Sequence, residues 1–167
     1  FDVSVFESVI VSVILMLCLC SCTSRTDMRL EQALCESETL FKQKRYSEAM
    51  TSCSEAESLA QKLDDQFSLG KIYRIMAHIS NAAYSYQDEI QYLKMASDAF
   101  GNAEKPYNRL YVDLEKGMAY YNVSDYASAE KVYRDVLYRA YEVSDTALQA
   151  QCLSAYAALA LEVSDPD

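Results

Sequence analysis

The chain has 167 residues, room for one domain. Its 15 Lys and Arg against 25 Asp and Glu give a formal charge of −10, which argues against a nucleic-acid binder, because phosphate contacts need clustered cations; the acidity is read as a solvated outer surface. Only three Gly and two Pro interrupt a sequence that is 51% apolar, so the chain points to an all-helical protein.

The chain opens on an apolar stretch. Ser8 to Ser24 carries no charge, and its centre reads VIVSVILMLCLC. This is short for a membrane span, which takes about 20 apolar residues. It has the character of the hydrophobic region of a secretory signal. It ends in Leu19-Cys20-Ser21-Cys22, which resembles the lipobox of bacterial lipoproteins: apolar, small, small, then Cys. The resemblance implies that residues 1–21 form a signal peptide, that Cys22 becomes the new N-terminus and carries lipid, and that residues 22–29 are a polar tether. At about 0.8 kcal/mol per buried CH₂, several acyl chains make a stable anchor. Asp2 and Glu7 precede the apolar run where such signals carry cations. An uncleaved anchor and an apolar helix packed on the rest of the chain therefore stay open as alternatives.

The remaining elements read as helices. Leu30, Ala33, Leu34, Ser37, Leu40 and Phe41 recur at three-four spacing and predict a first helix from Arg29 to Lys44, closed by the polar turn Lys42 to Arg45. Tyr46 to Leu63 is the second, with Ala49, Met50, Cys53, Ala56, Leu59 and Ala60 on one side. Asp64-Asp65 ends it and caps the next. The third runs from Phe67 to Asn81, and Ala82 to Ser85 is a turn. The fourth runs from Tyr86 to Phe100, with Gly101-Asn102 as its stop. Pro106 suits the first turn of a fifth, reaching about Asn122. Ser124 and Asp125 are good N-cap types before a sixth, Tyr126 to about Tyr141. Val143-Ser144-Asp145 links it to a seventh, Thr146 to Val163. In that last helix Cys152-Leu153 and Ala155 to Leu161 are nearly all apolar or small, so both faces want burial. The expectation is that the chain is a fragment, or that residues 146–163 dock on a partner or self-associate with another copy.

Tyr46, Tyr86 and Tyr126 lie 40 residues apart, and Val163-Ser164-Asp165 echoes Val123-Ser124-Asp125 at the same interval. A fixed period of this kind is the mark of a solenoid. Small residues at Gly117 and Ala129 would let two antiparallel helices approach closely, with Tyr120, Tyr126, Tyr133 and Val136 beside them. This helix-turn-helix pattern resembles the tetratricopeptide repeat. The resemblance implies an all-α solenoid of about three and a half repeats over residues 30–167, divided as 30–63, 67–102, 106–142 and a partial 146–167. The family's period is about 34 residues, so the excess is expected to lengthen the second helix of each pair and the link between repeats. Repeat two departs from the family in having Glu89 where Ala is favoured.

No catalytic constellation emerges. His78, the single histidine, has no Cys or Ser at a relay spacing, and there is neither a Gly-rich phosphate loop nor an HExxH. Asp64-Asp65 and Asp88-Glu89 sit at helix starts, where carboxylates offset the helix dipole. Cys35, Cys53 and Cys152 have no CxxC spacing and no companion histidine, which argues against zinc; they read as small buried hydrophobes, with a Cys35–Cys53 disulfide left open. The expectation is a protein without enzymatic activity, metal or cofactor. The resemblance implies instead a protein or peptide ligand held in a concave groove by Glu38, Phe41, Lys71, Arg74, His78, Asn81, Tyr111, Met118, Tyr121 and Asn122. Lys71, Arg74 and His78 step along one face as a local basic strip suited to a carboxylate, beside an apolar platform of Tyr111, Met118 and Tyr121. The family's carboxylate clamp for chaperone tails is not found. Together these readings imply a lipid-anchored scaffold in the bacterial cell envelope, periplasmic or at the outer membrane. The alternative is the sensory N-terminal region of a longer regulator, since lipobox-bearing tetratricopeptide proteins of Bacteroidetes-like bacteria, which this chain resembles, continue into a transmembrane helix and a DNA-binding output.

Overall fold

A computed structural model describes residues 25–164. The expected signal peptide and Cys22 lie outside the described residues. Among the described residues seven helices follow one another: α1 (25–42), α2 (Tyr46–Leu63), α3 (Gln66–Ala82), α4 (Tyr86–Asn102), α5 (Pro106–Asn122), α6 (Tyr126–Glu142) and α7 (Thr146–Ser164). Each packs on its neighbours in sequence, and α5 also touches α7. Residues 25–29, expected as a tether, are already helical.

One turn is used at every corner. Lys44, Asp64, Tyr84, Glu104, Ser124 and Ser144 all adopt positive φ, between 54° and 61°, at intervals of 20 residues. The residue after each donates its N–H back five positions, as in Arg45 to Leu40, Asp65 to Ala60, Lys105 to Phe100 and Asp145 to Ala140, all at 2.9–3.0 Å. This is the Schellman closure, which satisfies the last carbonyls of one helix. The same residue then serves as N-cap of the next helix. Asp65, Asp125 and Asp145 do so with their side chains, accepting from the N–H of Ser68, Ser128 and Leu148 at 3.0, 3.1 and 3.0 Å. Identical corners at equal intervals force helix pairs into a regular stack.

Two expectations are corrected by this regularity. The length beyond the family's usual period is not concentrated in the second helices: α3 and α5, first of their pairs, have 17 residues, as do α4 and α6. Gly101-Asn102 does not stop α4, because the left-handed position falls at Glu104; the Gly101 carbonyl accepts the Glu104 N–H at 3.1 Å from inside the last turn.

Side-chain size alternates across each helix pair. Ser37, Ala77 and Gly117 occupy one position of α1, α3 and α5, and Cys53, Leu93 and Tyr133 occupy one position of α2, α4 and α6. As the first shrinks, the second grows, and all are buried. A Cβ on Gly117 would lie 2.4 Å from Tyr133 Cε1, so the expected close approach of α5 and α6 is real. A second set reads Leu30, Gly70, Leu110 against Ala60, Phe100, Ala140; a Cβ on Gly70 would lie 2.7 Å from the Phe100 ring. One bulky side chain per pair keeps the helices close-packed without a fixed residue at either site. Cys53 packs beside Ser37 and burial pushes its thiol up to about 11, while Cys35 is exposed; both are free thiols, so the Cys35–Cys53 pairing is not made.

The helix α7 buries Leu148, Cys152 and Leu159 in a second core cluster, built with Leu110, Leu114, Tyr133, Val136 and Ala140 of α5 and α6 beside the larger one that runs from α1 to α5, and the Cys152 thiol donates to the Tyr133 carbonyl at 3.0 Å. Its other side is uncovered: Ala150, Leu153, Ala157 and Leu161 are exposed. Among the described residues no helix is long and apolar enough to cross a membrane.

Candidate functional site

The first helices of successive pairs, α1, α3, α5 and α7, line one side of the stack. Two hollows lie along it and share His78. One, about 290 Å³, is lined by Glu38 and Phe41 of α1, by Lys71 and Arg74 of α3, and by Asn108 of α5. The other, about 430 Å³, is lined by Asn81, Glu115, Met118, Tyr121 and Asn122, with Glu89 and Tyr133 below and Ala155 and Ala158 of α7 closing the end. Nine of the ten residues expected in a groove therefore meet there. Tyr111 is elsewhere: it packs on the second core cluster and its hydroxyl donates to Asp145 at 3.2 Å.

The basic strip is present but already occupied from within. Arg74 Nε donates to both Glu115 oxygens at 3.1 and 3.0 Å, and Arg74 Nη2 donates to Oε1 at 2.5 Å. His78 Nε2 lies 3.4 Å from Glu115 Oε2. Burial would push the Glu115 carboxyl up, but the hydrogen bonds and positive charge of His78 and Arg74 outweigh it and hold the group below the usual carboxylate range. Lys71 turns its ammonium over the Phe67 ring, 5.0 Å from the centroid. The strip thus presents a neutralised bidentate pair, not three free cations.

Two acids outside the expected groove set shape this wall: Glu89, read from the sequence as offsetting a helix dipole, and Glu115. Glu89 is buried, and its Oε2 accepts from Asn81 Nδ2 at 2.9 Å. Burial pushes its carboxyl up, with the nearby Glu115 adding to the effect, against the Asn81 bond and the charge of His78. The signal for it was in the period: repeats one and three have Ala49 and Ala129 at this position. Glu115 needed a different rule. Arg74–Glu115 and Tyr121–Glu162 both join residues 41 apart, so side chains at nearly equal register on successive first helices are neighbours. Met118, 40% exposed, and Tyr121 then give the larger hollow an apolar floor between amides Asn81 and Asn122.

Among the described residues no group of His, Cys, Asp or Glu is placed to hold a metal ion. Both hollows are mostly apolar, with hydrogen-bond donors and acceptors at their edges, and together they are called the trough below.

No protein-family model matches the chain, and no curated protein matches it. Among solved structures it is similar to the crystal structure of the TPR domain of Arabidopsis FLU, with a TM-score of 0.65 at 20% identity over 70% of this chain and 98% of that chain. At that identity the likeness speaks to fold alone: the described helices form a tetratricopeptide-repeat-like solenoid of antiparallel helix pairs.

Proposed function

We propose that this chain is a non-catalytic scaffold that binds an extended protein segment in the trough, and that a lipid on Cys22 holds it at a bacterial envelope membrane. One observation carries the binding part: two hollows, lined mainly by the first helices α1, α3, α5 and α7, lie side by side with His78 in the wall of both. An extended peptide fits such a shape because its side chains alternate between the two hollows and the rim. The Arg74–Glu115 pair makes the centre of the trough electrically neutral, so the ligand is expected to anchor through an apolar side chain over Met118 and Tyr121, with Asn81 and Asn122 bonding its backbone. The lipid part is supported by Leu19-Cys20-Ser21-Cys22 after an uncharged apolar run.

A random-peptide display selection against the full chain tests the binding. Selected peptides should share an apolar anchor, and Met118→Asp or Tyr121→Ala should weaken them by roughly 5–30-fold, the effect of losing about 1–2 kcal/mol at an anchor. Binding indifferent to both substitutions would remove the trough from the proposal. Cys22→Ser should abolish acylation of the chain expressed in a bacterium; continued partition of that variant into detergent would contradict the lipid anchor.

A further inference from the structure

On the opposite face of α5 from the trough lies a second, separate cavity of about 420 Å³, between α4 and α6. Five cations line it: Lys94, Arg109, Lys116, Lys131 and Arg139. The whole chain has 15 Lys and Arg and a formal charge of −10, so a third of its cations converge on one hollow of an acidic protein. Two carboxylates oppose them. Asp113, buried at 6% exposure, accepts from Lys116 Nζ at 2.6 Å, from Ser97 Oγ at 2.7 Å and from Arg139 Nη1 at 3.4 Å. Asp135 lies 3.6 Å from Arg139 and is mostly exposed. The cavity keeps a surplus of three positive charges.

That surplus is not spread evenly. The Arg109 side chain is 41% exposed, but its Nε is enclosed, 3.8 Å from Asp113 Oδ2 and without a hydrogen-bond partner among the described residues. An enclosed N–H without an acceptor favours a ligand that supplies one. Lys94 meets only the Tyr120 ring, 5.9 Å from its centroid, and Lys131 is exposed without a carboxylate partner among the described residues. Asp113 works as an internal anchor that gathers Arg109, Lys116 and Arg139, while Lys94 and Lys131 stand at the rim. A single carboxylate would satisfy one unit of the surplus. A phosphate monoester brings about two charges and three acceptor oxygens in a compact group, so it offsets most of the surplus and offers one acceptor each to Arg109, Lys94 and Lys131.

We infer that this cavity is a binding site for a phosphate monoester dianion, supplied either by a phosphorylated side chain of a partner protein or by a small phosphorylated compound. The site is independent of the trough and its ligand.

The test follows the Arg109 Nε–H resonance of the full chain by ¹⁵N NMR during titration. Four probes are used: inorganic phosphate, a phosphoserine peptide, its unphosphorylated twin and a single-stranded oligonucleotide. Inorganic phosphate and the phosphopeptide should shift the signal saturably, and affinity for the phosphopeptide should rise with pH through about 6, as its second phosphate proton leaves. Lys94→Glu with Lys131→Glu, both at exposed positions, should weaken binding at least about tenfold with helicity unchanged. Tighter binding of the phosphopeptide than of inorganic phosphate assigns the ester to a partner protein; equal affinities assign it to a small compound. The inference is overturned if the response is linear in ionic strength, persists unchanged in the double variant, or is strongest with the unphosphorylated peptide or the oligonucleotide.

Discussion

Gly117→Ala is the sharpest test of how the helix pairs pack. Alanine is the better helix former, by about 0.5–1 kcal/mol in a helix interior. At this position the added methyl would sit 2.4 and 2.7 Å from Tyr133 Cε1 and Cδ1, and 3.2 Å from Val132 Cγ1. Tyr133 is 1% exposed and its ring lies 6.4 Å from that of Tyr156, so making room means pressing on Tyr156 or giving up packing to enter the hollow it borders. Overpacking of this kind costs about 1–3 kcal/mol. The net expectation is a loss of roughly 1–2 kcal/mol, or about 2–8 °C in Tm for a chain of this size. The neighbouring repeat suggests the rescue, since it fills the same two positions with Ala77 and Leu93. Tyr133→Leu alone should destabilise by leaving a cavity. The double variant should be more stable than the sum of the singles predicts, with a coupling of about 1–3 kcal/mol. Far-UV circular dichroism during urea and thermal unfolding of all four proteins measures this. A neutral or stabilising Gly117→Ala, or strict additivity, would refute the size-exchange argument.

Arg74→Glu should leave Glu115 facing another acid and destabilise the solenoid by about 1–3 kcal/mol, and the swap Arg74→Glu with Glu115→Arg should recover much of it; equal melts for all three would mean the pair contributes nothing. Because the Glu115 carboxyl is held below its unfolded value, its contribution is present above the ordinary carboxylate range and fades as pH falls through the depressed folded value. The wild type should therefore lose stability relative to Glu115→Gln on acidification, and parallel pH–Tm curves would count against it. Glu104→Gly relieves a non-glycine residue at φ 54° and should raise stability by roughly 0.5–1 kcal/mol; a lower unfolding midpoint would show that this corner is unstrained. Leu153, 48% exposed, and Leu161, 72% exposed, should drive concentration-dependent association that Leu153→Glu with Leu161→Glu abolishes, and light scattering showing a strict monomer for the parent chain would dismiss the α7 surface as an interface.

The helices were legible before any coordinates because their ends are written in local chemistry. Tyr46–Leu63 is recovered to the residue, Pro106 opens α5, and Asp65 and Asp125 cap as their types suggest. The trough was legible in outline, since positions on first helices repeat every 40 residues and nine of its ten expected members converge. The occupied state of its basic strip was not: Glu115 reaches Arg74 and His78 across a helix interface, and a pairing over 41 residues has no local mark.

What the linear order of residues determined by itself is the repeating unit: helix, corner and cap, all set by contacts within a few residues of chain. What only the tertiary structure decided is the charge state of each face. Whether Arg74 is free, whether Glu89 is buried, and whether five cations of an acidic chain share one hollow depend on which side chains of different helices come within a few ångströms. Electrostatic and hydrogen-bond energies vary steeply with that distance, and the helix stack fixes it while the period alone leaves it open.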